Sequence, residues 1–407
     1  MLRKQYFNLL VQSKMQNTTN GDSAIHRLSD RAQAIVPFEV MQIIDRANQL
    51  QRQGRDIIHL EVGEPNFPTA PSIVRAVTEF VSNDRVRYTE TGGRPDLRQA
   101  IAQDYARRFD VEINPDRILV TAGASAALLL AMGAVLNPGQ FILMADPAYP
   151  CNRQIARFVE ARAQLVPATA AEGYQLSERS IREHWSDDCA AALIASPSNP
   201  TGTVVSPAEL QSIYQAVDER SGHLIVDEIY QGLSYQQAPS TALVHSNAWV
   251  INSFSKYAGM TGWRLGWIVC PEGTQQAVTN MAQHLYISPS EVSQIAGLAS
   301  FEPEAIEEFE RRRLQLKAAR DYLIPALESL GFRIDATPEG AYYLFVNVTG
   351  LADDSVALAT RLLEQAGVAT TPGHDFGPEY ARTHLRIAYV DSIERLAEAV
   401  ERMAGVL

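Results

Sequence analysis

Short apolar runs recur from residue 117 to residue 271: RILVTAG, QFILMADP, AQLVPA, AAALIASPSNPTG, HLIVDEIY, WVINSFSK and LGWIVCP. Between several of them lie stretches with an apolar period of 3.6 residues, ASAALLLAMGAVL, NRQIARFVEA and SPAELQSIYQAVDER. The last opens on Ser206, an N-cap, and Pro207, which needs no amide partner at the first helical position. Near-continuous apolar strands alternating with helices predict a mostly parallel sheet covered on both faces. The gaps after Tyr230 and Lys256 are short and loop-like, so one strand near the end of the run is expected to be antiparallel.

After residue 301 the pattern changes. A long charged helix, residues 302–331, precedes the strand YYLFVNV, a helix around 354–366, the strand HLRIAYV and a last helix from Ser392. This order suits a smaller α+β domain. The segment PFEVMQIIDRANQLQRQG reads as a helix closed by Gly54 and is expected to pack beside that domain. The predicted fold class is α/β: a large domain over 66–300 around a seven-stranded sheet, and a small domain built from 26–65 and 301–407. Residues 1–25 are expected to form a loose tail.

Composition narrows the function classes. The 407 residues are 46% hydrophobic and 20% charged, with formal net charge −12, so a broad nucleic-acid surface is not expected. Cys151, Cys189 and Cys270 are far apart with no CxxC pairing, which suits a reducing compartment. The eight histidines show no HxxxH or HExxH spacing, and no metal site is called for. The most apolar stretch, AALLLAMGAVL at 126–136, is too short to span a bilayer. Gln12, Ser13 and Lys14 interrupt any leader-like run, so the expected location is the cytoplasm, with no membrane partner.

Ligands of open parallel sheets bind beyond the carboxyl ends of the strands. Asn199 follows one apolar run, Asp227 another with Tyr230 one turn on, Lys256 a third, and TAGAS a fourth. A single aspartate there is commonly a turn former; the convergence is what carries meaning. No GxxxxGK[ST] loop and no GxGxxG motif occurs, which disfavours nucleotide and dinucleotide binding. TAGAS runs into a helix, so free amides near Gly123, Ala124 and Ser125 can hold a phosphate. Lys256, set among Phe254, Ser255, Tyr257 and Gly259, reads as an amine kept partly dry to act as a nucleophile. A lysine for covalent attachment, an acid for a ring nitrogen and a phosphate cradle together describe pyridoxal 5'-phosphate.

With SNPTG, VDEIY, SFSK followed by MTGWRLG, and LRIAY in this order and spacing, the chain resembles the fold-type-I pyridoxal-phosphate enzymes, class I/II aminotransferases. The resemblance runs from about residue 62 to residue 390. It implies that Lys256 attaches the cofactor and then moves the substrate Cα proton. Asp227 pairs with the pyridine nitrogen, while Asn199 and Tyr230 hydrogen-bond the ring oxygen. Tyr149 stacks on the ring. Ala124, Ser125, Ser253 and Arg264 hold the phosphate, joined by Tyr88 from a second subunit of a homodimer. Arg386 clamps the substrate α-carboxylate, Gly63 adds a backbone contact, and Phe38 in VPFEVM faces the substrate side chain.

Two positions depart from the pattern. Aspartate-specific relatives resemble GGKQAL where this chain has Ser125 in place of the lysine, and Ala126 stands where a glutamine is frequent. The expected activity is therefore transfer of an amino group from a neutral or hydrophobic L-amino acid, rather than aspartate, to 2-oxoglutarate or pyruvate. C–S lyases and other Cα/Cβ-eliminating enzymes share the same constellation and remain the alternative. A regulator carrying such a domain would need a DNA-binding module, for which the residues before 62 leave no room beside the N-terminal helix.

Overall fold

The computed structural model describes residues 28–35, 37–236, 239–244 and 246–407; the expected tail, 1–25, lies outside them. A two-residue strand β1 (Ile58–His59) precedes seven strands: β2 (Ile118–Thr121), β3 (Phe141–Asp146), β4 (Arg162–Pro167), β5 (Cys189–Ala195), β6 (His223–Asp227), β7 (Trp249–Ser253) and β8 (Gly266–Val269). The seven form one sheet of order β2-β8-β7-β6-β5-β3-β4. Only β8 runs against its neighbours, antiparallel to both β2 and β7; the other pairs are parallel. These are the seven apolar runs and the one reversed strand expected from the sequence.

The strands read as continuous apolar runs because both sheet faces are dry. Along each strand, alternate residues enter opposite cores. Val120, Leu143, Ile194, Val226 and Val250 face one layer, and Leu119, Met144, Leu193, Ile225 and Ile251 the other. Burying each such side chain contributes about 1.5–3 kcal/mol. The helix Ala124–Val135 covers the second face, and the helix Pro207–Asp218, capped by Ser206 as predicted, covers the first. Because β2, β3, β5, β6 and β7 run the same way, their carboxyl ends share one edge.

A second core holds residues from both chain ends. Ile43, Ala47 and Leu50 of the helix Glu39–Arg52 pack there with Leu344, Leu385, Leu396 and Met403, the packing expected of the N-terminal helix. Its strands are β9 (Tyr343–Asn347), β10 (Val368–Ala369), β11 (Thr371–Pro372) and β12 (His384–Ala388). Strands β11, β12 and β9 form an antiparallel sheet in that order, while β1 pairs in parallel with β10. The helix Pro303–Ser329 spans both cores: Ala305 and Phe309 lie in the first, Leu316, Leu323 and Leu327 in the second. Residues Pro37–Leu407 form one compact unit; the short helix Asp30–Ala34 lies in the separate segment before it. Among the described residues no helix is long and apolar enough to cross a membrane.

Candidate active site

The shared carboxyl edge of the sheet opens into a cavity of roughly 370 Å³. Its floor comes from residues just past strand ends: Asn199 after β5, Asp227 closing β6 with Tyr230 beyond it, and Ser255 and Lys256 after β7. Ala124 and Ser125 enter from the first turn of the helix after β2, and Tyr149 as the residue before the helix Pro150–Phe158. Arg386 reaches in from β12, and Gly63 and Phe38 from the N-terminal side. Residues separated by more than three hundred positions thus meet in one space.

Lys256 is enclosed by aromatic rings and backbone. Its Nζ donates to the Gly63 carbonyl at 2.8 Å and lies 5.8 Å from the Tyr230 ring centre and 5.9 Å from that of Tyr342. Burial holds its pKa below the usual lysine value, and the Arg386 and Arg264 guanidiniums push the same way. Burial raises the Asp227 carboxyl to about 6, against the opposing pull of the Ile229 amide and of Lys256. Tyr230 is buried, which puts its phenol well above the ordinary range; its hydroxyl meets that of Tyr343 at 2.8 Å.

The expected phosphate cradle lies where the helix Ala124–Val135 begins. Gly123 has φ +81° and caps the helix without a side chain, leaving its first amides facing the cavity. A Cβ on Gly123 would stand 2.6 Å from Arg264 Nη2, so glycine is what lets the guanidinium sit over the helix start. Ser253 lies one layer back. Its hydroxyl donates to the Leu265 carbonyl (2.9 Å) and meets Ser255 Oγ at 2.8 Å, and Ser255 is the serine that lines the cavity. Tyr88 is 78% exposed and does not line the cavity of its own chain.

Arg386 is 6% exposed, although alternation along a strand edge would allow a surface charge. Nη1 donates to Asn199 Oδ1 at 3.0 Å, and Nη2 donates to the Glu61 carbonyl at 2.6 Å and to Thr371 Oγ1 at 3.2 Å. Its Nε is buried without a partner. A guanidinium fixed on one side with a donor left over is suited to a carboxylate ligand.

The family model for aminotransferase class I and II matches residues 55–403. The chain belongs to that family. Among curated relatives, this aminotransferase is 35% identical to a valine–pyruvate aminotransferase of Mycobacterium tuberculosis, over 92% of this chain and 97% of the relative. It is 31% identical to an aspartate/prephenate aminotransferase of Thermus thermophilus, over 93% and 98%. A crystal structure of an aminotransferase from Mycobacterium tuberculosis superposes with a TM-score of 0.90 at 34% identity, covering 93% of this chain and 98% of that one. Aspartate aminotransferase from Thermus thermophilus with maleate gives 0.88 at 30% identity, covering 94% and 100%.

The enzyme is accordingly a pyridoxal-phosphate-dependent aminotransferase acting on small amino and 2-oxo acids. The site fits that cofactor: a desolvated lysine, a buried acid, and a cradle in which Arg264 overhangs free amides share one cavity. Sequence reasoning missed the residues that brace it. Tyr343 bonds Tyr230, stacks 4.5 Å from the Arg386 guanidinium and occupies the space a Gly63 side chain would need, 2.1 Å from its Cβ. Tyr342 donates to the Gly63 carbonyl at 2.7 Å, and Thr371, Asp375 and Phe376 also line the cavity. The doubled tyrosine opening YYLFVNV was the one available signal: in a strand, neighbours face opposite ways, so two bulky aromatics side by side mark a crowded strand end.

Proposed function

We propose that this aminotransferase takes its amino group from a neutral or hydrophobic L-amino acid rather than aspartate, and delivers it to 2-oxoglutarate or pyruvate in two half-reactions. The observation that carries the reading is the cation count of the cavity. Among the described lining residues the cations are Lys256, Arg264 and Arg386. The cofactor's aldehyde, its phosphate and the substrate α-carboxylate use all three, so this chain leaves none for a second carboxylate on the donor side chain or on 2-oxoglutarate, and of the two acceptors the count favours pyruvate. Phe38, Val40, Ile44 and Phe376 supply an apolar wall instead, and Glu64 repels an acidic side chain. The relative named for valine and pyruvate supports the same donor class.

Pyridoxal phosphate, when bound, supplies the carbonyl that takes up the amino group and a ring that draws electrons from the substrate Cα. Lys256 Nζ would hold the cofactor covalently and, once free, would carry the proton between the substrate Cα and the cofactor's aldehyde carbon. Its desolvation favours the neutral amine that both tasks need. Asp227 would pair with the ring nitrogen and orient it; Asn199 and Tyr230 would hold the ring oxygen while Tyr149 would cover the ring face. Ala124, Ser125 and Arg264 would bind the phosphate, with Ser253 acting from one layer back through its bond to Ser255. Arg386 receives the α-carboxylate on its planar fork, with Gly63 alongside.

The working unit is a homodimer with shared sites. Tyr88 and Val86 are exposed beside Leu285 and Ile287, and the two stretches are joined by a bond from the Thr89 amide to Ser288 Oγ. An exposed apolar patch of this kind suits a partner surface, and it presents Tyr88 outward to the neighbouring subunit's phosphate. We assign 26–65 and 301–407 to a small domain and 66–300 to the large one, a division supported by the separate cores, with closure over the substrate excluding water. The free thiols Cys151, Cys189 and Cys270 suit a cytoplasmic location.

A panel of amino donors, each tested against 2-oxoglutarate and pyruvate, decides the proposal. Alanine, valine or leucine should exceed aspartate in kcat/KM by at least about tenfold. Faster turnover of aspartate would refute the donor class, and release of ammonia without amino transfer would point to elimination chemistry.

A further inference from the structure

The helix Glu39–Arg52 begins with a deficit. Its N-cap, Phe38, has no side chain able to accept from the first turn, so those amides need another acceptor. Asp375 provides it from the far end of the sequence: Oδ1 accepts from the Glu39 amide at 2.7 Å and Oδ2 from the Val40 amide at 3.0 Å. The aspartate is 5% exposed. It meets the positive end of a 14-residue helix, where a carboxylate is favoured twice, by hydrogen bonding and by the helix dipole.

The flanking residues explain why this contact matters. Phe38, just before the capped amides, and Val40, which carries one of them, line the substrate cavity. On the other strand of the contact, Thr371 accepts from Arg386 Nη2, and Phe376 places its ring 5.1 Å from the Arg386 guanidinium. Between them, the Asp375 carbonyl accepts from Arg153 Nη2 at 2.6 Å, which ties the turn to the helix Pro150–Phe158. The segment 371–376 therefore touches the carboxylate clamp through Thr371 and Phe376 and the wall that meets the donor side chain through Asp375.

We propose that Asp375 is a specificity-determining positioning residue: by gripping the Glu39 and Val40 amides it sets the distance between Arg386 and the Phe38–Val40 wall, and so the size of donor side chain accepted. The inference rests on the donor class proposed above for its choice of substrates. Asp375 does not touch the reacting atoms. Without its grip the wall moves independently of the clamp, and large apolar donors lose a fixed partner while alanine, which barely reaches the wall, loses little.

The test compares Asp375→Ala, Asp375→Asn and Phe38→Ala in the holoenzyme. For Asp375→Ala, kcat/KM with leucine or valine should fall about tenfold or more, chiefly through KM, against about threefold with alanine. Asp375→Asn retains one acceptor oxygen and should rescue part of the loss. The double variant with Phe38→Ala should lose no more than the larger single change, since both act through one wall. Hydrogen exchange supplies a readout independent of turnover: the Glu39 and Val40 amides should exchange faster in Asp375→Ala and at an intermediate rate in Asp375→Asn. An equal loss with every donor, or unaltered exchange at both amides, would overturn the proposal. If the wild type prefers aspartate, the donor class falls, whereas the latch still stands or falls on amide exchange and on whether donor ratios change.

Discussion

Asp227 shows how much the site relies on its ligand. The carboxyl is buried at 6% exposure, and its oxygen Oδ1 accepts only from the Ile229 amide among the bonds described. In the cofactor-free protein it holds its proton up to about pH 6, whereas an unfolded aspartate releases it near 3.8. Between these values the folded state binds the extra proton, so stability is fullest below the unfolded value and declines as pH rises through about 6. Asp227→Asn keeps the acceptor for Ile229 and removes the titration. Thermal melts of the two cofactor-free proteins should converge near pH 4 and separate by pH 7, with the variant more stable by an amount on the order of 1–3 kcal/mol. Identical curves across that range would contradict this. Burial raises Glu228 to about 7 and the Asp227 charge pushes the same way, so Asp227→Asn also relieves Glu228 and widens the separation above pH 6.

Strands and helices divide the labour cleanly. The seven runs between 117 and 271 were legible because each is dry on both faces, and the helices between them because their apolar period differs from two. Ser206 illustrates a cap whose value is purely local: its hydroxyl accepts from the Glu209 amide at 3.2 Å, on a helix remote from the cavity. Ser206→Ala should lower stability by about 1 kcal/mol in denaturant titration and leave kcat unchanged. The strands β1, β10 and β11 were not legible. Two residues carry no period, and their pairing is set by the packing of the second core. The same limit hid Thr371, Asp375 and Glu61, which sit on or beside those short strands and acquire roles only once distant segments meet. Lys256, Asp227, Asn199 and the Gly123 turn could be found because each follows a long apolar strand. Arg386 lies within the strand β12, and it was the family pattern LRIAY that singled it out.

Within one chain Tyr88 points into solvent, so the proposed dimer is what would give it a role. In a shared-site dimer, Lys256→Ala and Tyr88→Ala impair different halves of the same centre. Mixing the two inactive or weakened proteins under subunit exchange should restore activity in hybrids, because one of their two sites pairs an intact Lys256 with an intact Tyr88. Activity no greater than the sum of the parents, despite hybrids seen by mass spectrometry, would argue that each subunit works alone. The helix Pro303–Ser329 adds a mechanical consequence within the chain. At 27 residues it is about 40 Å long, seated in one core near Phe309 and in the other near Leu323. Pivoting in the first core and carrying the second with it, such a rod amplifies: a tilt of about 5° moves its far tip by about 3.5 Å over this length. The ångström-scale travel needed to bring a guanidinium onto a carboxylate can thus be gained without unpacking a single turn.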